Sequence, residues 1–65
     1  MNTIDLTGVS ADDWADAARE ALREASKTIR RVTKMDVLAR RAVVEDGQIV
    51  EYHTDVRLFF EIEGS

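Results

Sequence analysis

The stretch Val32-Thr-Lys-Met-Asp-Val-Leu-Ala-Arg-Arg-Ala-Val-Val-Glu-Asp-Gly-Gln-Ile-Val-Glu-Tyr-His-Thr-Asp-Val-Arg-Leu-Phe-Phe-Glu-Ile62 decides the fold. It reads as one long β-hairpin bent at Glu45-Asp46-Gly47-Gln48. Asp-Gly between two β-branched runs is a strong hairpin signal, because a type I′ turn needs positive φ at both central residues. With Asp46-Gly47 at the tip, residues equally distant from the turn face each other. That register pairs Val43 with Val50, Arg41 with Tyr52, Ala39 with Thr54, Val37 with Val56, Met35 with Leu58 and Thr33 with Phe60 on a mostly apolar face. The opposite, mixed face receives Ala42/Glu51, Arg40/His53, Leu38/Asp55, Asp36/Arg57, Lys34/Phe59 and Val32/Glu61. A one-residue slip would scramble the two sets, so the pattern is expected to hold this register. Both arms exceed the usual strand length, which predicts strong curvature or a bulge.

Working outward toward the N-terminus, Ser10 is expected to open a helix in an approximate capping box with Asp13. Asp12 and Asp13 sit at the positive end of the helix dipole, and Lys27, Arg30 and Arg31 at or just past the other end. Trp14, Ala17, Ala18, Ala21, Leu22, Ala25 and Ile29 recur at helical spacing as one apolar stripe, rich enough in alanine to approach a sheet closely. Asp16/Arg19, Glu20/Arg23 and Glu24/Lys27 lace the outer face at i,i+3. Before the helix, Thr3 to Thr7 alternates as a short strand, with Ile4 and Leu6 inward and Gly8 ending it. The order is strand, helix, strand, strand: an α+β fold in which a three-stranded antiparallel sheet wraps one helix. The helix is expected on the face of Met35, Val37, Val56, Leu58 and Phe60. The mixed face has no second layer in the chain, and neighbouring subunits are its expected cover.

The chain has 65 residues, no cysteine, one histidine and no proline, with 9 basic against 13 acidic residues and a net charge of −4. It is expected to form a single domain over residues 1–65 with a thin core of its own. Without disulfides or a plausible intrachain zinc site, oligomerisation is the remaining stabilising device. The acidic balance is unlike a nucleic-acid binder, and basic residues cluster only around Arg30–Lys34 and Arg40-Arg41. No run reaches membrane-spanning length and no signal-peptide pattern opens the chain, so the cytoplasm is the expected location.

Leu6-Thr7-Gly8-Val9-Ser10, Asp13-Trp14-Ala15-Asp16-Ala17, Ala25-Ser26-Lys27-Thr28-Ile29-Arg30, Glu45-Asp46-Gly47-Gln48-Ile49-Val50 and Tyr52-His53-Thr54-Asp55-Val56 through Phe60-Glu61-Ile62-Glu63 together resemble the dodecins. These are small bacterial and archaeal proteins that assemble into hollow homododecamers and bind flavins. The resemblance runs through almost the whole chain and implies a non-enzymatic homododecamer that sequesters a small ligand, with a flavin (FMN or riboflavin) as the candidate. It also marks positions. The family's flavin-stacking tryptophan falls on Lys34, its ring-binding glutamine on His53 and a nearby acidic residue on Ala39, while an arginine before the turn is kept as Arg41. Trp14 matches a structural helix position. Lys34, His53, Arg41 and Leu38 are therefore the expected ligand-contacting residues.

Plainer roles stand beside these. Lys34 also reads, and more simply, as a solvated or intersubunit ion-pair residue. His53 could contact a ring, switch with pH, join a symmetry-built metal site, or simply pair with Arg40 or a carboxylate. Asp36 opposite Arg57 reads as a cross-strand ion pair. Asp5, Asp55, Glu51, Glu61 and Glu63 could gather around a symmetry axis and take calcium or magnesium, although their spacing does not demand it. No nucleophile–base–orienter set is visible, so an enzyme is not expected. The alternative to ligand storage is a dodecin-fold shell that has lost flavin binding. A small adaptor that docks a partner on its uncovered sheet face is a third reading.

Overall fold

A computed structural model describes residues 2–62 of the chain. β1 (Asn2–Ser10) leads to α1 (Trp14–Ala25), then to the long hairpin of β2 (Arg31–Glu45) and β3 (Gln48–Glu61). The sheet is antiparallel in the order β1-β3-β2, so the last strand is central. The expected fold class and element order are those observed.

The turn forms as its residues dictate: Asp46 and Gly47 have φ of 52° and 77°, flanked by the Glu45–Gln48 pair. The ladder above it departs from the simple register at three places, between Val32 and Lys34, Val37 and Ala39, and Val43 and Val44. Thr33 and Leu38 are the extra residues on β2, and Val50 is the extra residue on β3. Met35 still faces Leu58 and Val37 faces Val56, but Arg41 now faces His53, Arg40 faces Thr54, Ala42 faces Tyr52 and Ala39 faces Asp55. The expected pairs Val43/Val50, Arg41/Tyr52, Ala39/Thr54, Arg40/His53, Ala42/Glu51 and Leu38/Asp55 are thus replaced, as are Thr33/Phe60 and Val32/Glu61. Each bulge adds one residue, and because side chains alternate, the segment between two bulges shifts by one pairing. Arg40 and Arg41 thereby exchange faces.

β1 runs through Gly8 to Ser10 rather than ending at Gly8. Gly8 serves a different need. A Cβ there would collide with the carbonyl of Ala17 and lie 3.0 Å from the amide nitrogen of Ala21. The missing side chain lets the alanine face of the helix rest directly on the strand. Helix onset also differs from expectation. Asp13, in extended conformation, is the N-cap and accepts from the Asp16 amide at 2.6 Å. Ser10 instead knits the preceding turn, accepting from the Asp12 amide at 2.9 Å and the Asp13 amide at 3.4 Å while donating to Asp16 Oδ2 at 2.8 Å. The three i,i+3 ion pairs form on the outer face.

Ala17, Ala21, Ala25, Val56 and Leu58 form the buried core, bordered by Leu6, Leu22, Ile29 and Met35. Thr54 is buried too, and its hydroxyl donates to the Trp14 carbonyl at 2.8 Å. The helix rests on β1 and β3 rather than β2. Val37, expected in the core, is therefore 54% exposed. A helix of twelve residues spans only about 18 Å, whereas the molecule is 52 Å long. The outer hairpin overhangs it, leaving Val43, Val44, Ile49 and Val50 exposed. No helix among the described residues is long and apolar enough to cross a membrane.

Candidate functional site

The sheet face turned away from α1 carries four successive rungs across β1, β3 and β2: Thr3–Phe59–Lys34, Asp5–Arg57–Asp36, Thr7–Asp55–Ala39 and Val9–His53–Arg41. Alternation on β3 puts the core residues Thr54, Val56 and Leu58 on one side and His53, Asp55, Arg57 and Phe59 on the other. Most of the open face is an interlocked set of charges.

Arg57 forms a two-pronged bond to Asp5, at 2.8 and 2.9 Å. It turns to β1 rather than to Asp36, so the expected Asp36–Arg57 pair is replaced by Asp5–Arg57. Arg41 clamps Asp55 the same way, with its second bond at 3.0 Å, and the Thr7 hydroxyl adds a third at 2.7 Å. Planar guanidinium matches planar carboxylate, which makes these the strongest polar contacts available to such groups. The hydrogen bonds from Arg57 hold the Asp5 carboxyl below its ordinary range, and those from Arg41 and then Thr7 do so for Asp55. Reciprocally, both guanidinium groups are held above theirs.

His53 is half-buried, its Nε2 lying 3.0 Å from Glu51 Oε1. Its partner is thus a carboxylate two residues back on the same strand, Arg40 having moved to the helix side. There Arg40 lies 6.0 Å from the centre of the Trp14 ring, and Trp14 in turn packs edge-on to Tyr52 and donates to the Arg41 carbonyl at 3.0 Å. Lys34 is held differently from the arginines. Its ammonium sits 4.5 Å from the centre of the Phe59 ring and 3.9 Å from Asp36, beyond hydrogen-bond reach. A cation over an exposed aromatic face is worth about 0.5–1 kcal/mol. Leu38, the bulge residue, lines two concavities. One, of about 670 Å³, lies toward Trp14, Ala18 and Arg40; the other, of about 310 Å³, lies toward Asp5, Thr7, Arg41 and Asp55.

Of the expected site residues, Arg41 and His53 share a rung and Leu38 stands at the nearby rim. Lys34 shares their face but not their neighbourhood. Its rung partner Phe59 lies six positions from His53 along β3, which is roughly 20 Å at about 3.3 Å per residue. Within one chain Lys34 and His53 do not meet. Phe59 and the Thr7–Asp55 pair were not singled out from sequence. Phe59 could have been, since an aromatic opposite a lysine on a charged face has no core to join.

Four of the carboxylates proposed for a symmetry-built cluster are engaged within their own chain: Asp5 with Arg57, Asp55 with Arg41 and Glu61 with Arg31 as ion pairs, and Glu51 with the His53 ring nitrogen. Glu63 lies outside the described residues. Among those described, no three metal-ligating side chains converge.

The family model for dodecin matches residues 1–63. The chain belongs to the dodecin family. Its backbone superimposes on that of the Streptomyces coelicolor dodecin with a TM-score of 0.92 at 31% identity, covering 98% of this chain and 91% of that one. An arginine-to-alanine variant of the Thermus thermophilus dodecin gives a TM-score of 0.92 at 25% identity, with 98% and 94% covered. The Streptomyces davaonensis dodecin, at 24% identity with 97% and 93% covered, shares the fold with a TM-score of 0.92. No curated protein sequence matches the chain significantly. Lys34, His53 and Ala39, the positions at which the resemblance implies a replacement, all stand on the open face.

Proposed function

We propose that this dodecin is a non-enzymatic homododecamer that holds a small planar ligand on the open face of its sheet, with FMN or riboflavin as the family-implied candidate. The observation that carries the reading is an uncovered sheet face on which Lys34, Phe59, Arg41 and His53 stand without a second layer. The separation of Lys34 from His53 supports assembly: a pocket using both positions needs them from different copies. Arg41, fixed by Asp55, would present a rigid rim beside His53, whose ring can donate or accept at the polar edge of a ligand. A non-catalytic role fits the commitments already made, since the Ser10 hydroxyl serves three backbone and side-chain partners and His53 is engaged by Glu51.

Two measurements test this. Sedimentation should give the mass of a dodecamer of 7.3 kDa chains, and a monomer mass would refute assembly. Added FMN or riboflavin should lose fluorescence at micromolar protein. A second reading, a dodecin shell without flavin, draws on the replacement of the stacking tryptophan by Lys34. It predicts the dodecamer mass with unquenched flavin.

A further inference from the structure

We infer that Phe59 is the aromatic platform of the open-face site and that Lys34 is its movable cover, which selects planar ligands carrying an acidic group. The inference rests on the proposed placement of a ligand on that face and assigns residues and ligand chemistry within it.

Three observations converge. Phe59 is the one phenyl ring on the four rungs of the open face, half-buried and flanked by Thr3 and Lys34. Its neighbours on the helix side, Leu58 and the Val56 beyond it, belong to the core, so the strand beneath the ring is firmly held. The Lys34 ammonium lies over the ring at 4.5 Å. Finally, the cations of this face are held very unequally. Arg57 and Arg41 are each locked by two hydrogen bonds to a carboxylate, while Lys34 reaches Asp36 only at 3.9 Å. A flat ligand sliding onto Phe59 exchanges an ammonium–ring contact for ring–ring stacking. The displaced ammonium, on a flexible four-carbon stem, then needs an anion, and an acidic substituent on the ligand supplies one. A neutral planar ligand gains the stacking but leaves Lys34 uncompensated.

The test titrates FMN and riboflavin, which share a ring and differ in the phosphate, into the native protein and into Phe59→Leu, Phe59→Tyr, Lys34→Met and Lys27→Met. Each variant is first checked for native mass by sedimentation. Phe59→Leu should weaken both flavins about three- to tenfold, while Phe59→Tyr stays near native. Lys34→Met should weaken FMN but not riboflavin, and Lys27→Met, which removes the same charge from the turn after α1, should leave both unchanged. Flavin binding that survives Phe59→Leu within twofold would overturn the platform and leave the broader ligand reading standing. Equal effects of Lys34→Met and Lys27→Met would overturn the cover. If neither flavin binds the native protein, the flavin reading fails and anilinonaphthalene sulfonate, an aromatic anion with a flat naphthalene ring, becomes the probe. Its fluorescence should rise on the native protein and fall with both Phe59→Leu and Lys34→Met. An unchanged or absent signal would overturn the inference.

Discussion

Arg41 clamps Asp55 although the two do not face each other across the strands: Arg41 pairs with His53, and Asp55 with Ala39. The clamp is diagonal, and the Leu38 bulge makes it feasible by turning Arg41 to the open face. Together with Asp5–Arg57 it ties all three strands to one another through charge on the side the helix does not cover.

That arrangement fixes a pH dependence. Asp5 and Asp55 are both held below the ordinary carboxylate value of 3.8. A carboxyl whose folded value is depressed adds stability that is fully present above its unfolded value and disappears as pH falls through the lower folded one. Thermal melting should therefore be level above about pH 5 and drop below about pH 4. Asp5→Asn and Asp55→Asn should each lower the melting temperature at neutral pH and flatten the acid limb. An acid limb as steep in the double variant as in the native protein would contradict this assignment.

Gly8 offers a sharper structural test. Because a Cβ there meets helix backbone rather than a yielding side-chain tip, Gly8→Ala must push α1 off the sheet. The expected cost is about 3 kcal/mol or more. Urea unfolding should show a lower midpoint, and a midpoint within error of the native one would mean the helix approaches less closely.

Gly47 should behave differently, since a side chain there meets nothing within 4 Å. The cost of Gly47→Val is conformational, arising from a φ of +77°, and amounts to about 1–2 kcal/mol. Gly47→Asn should cost clearly less, because asparagine tolerates the left-handed region. Equal midpoints for the two variants would point to a turn that simply rearranges.

Trp14→Phe keeps an aromatic ring against Tyr52 but removes the indole N–H that bonds the Arg41 carbonyl. A loss of about 1 kcal/mol is expected in denaturant titration. A loss several times larger would mean the ring itself was held by packing that phenylalanine cannot replace.

The parts of this dodecin that could be read from sequence share a reason. The alanine stripe, the Val56–Leu58 core and the Asp46-Gly47 turn follow from spacing and backbone preference, which act locally. Strand length pointed to curvature or a bulge, but the positions of the three bulges were hidden because an extra residue has no composition of its own. The exchange of Arg40 with Arg41 was hidden more deeply, since the neighbours are the same residue type and swapping their faces leaves the pattern unchanged. Ser10 and Asp13 are both good caps, and only the path of β1 decides between them. The site positions on Lys34 and His53 came from resemblance, and it took the register to show that one chain holds them far apart.

The overhang of the hairpin beyond the helix has a consequence for amide hydrogen exchange. Backbone groups of Thr54, Val56 and Leu58 lie beneath α1 and can open only when the whole domain does, so they should exchange slowly. Those of Val43, Val44, Ile49 and Val50 belong to the same hairpin, yet no layer among the described residues covers them, and local opening is enough to release them. A single hairpin should thus show a gradient of protection along its length. Whatever covers the outer end, another copy above all, would reveal itself as that gradient flattening while protein concentration rises.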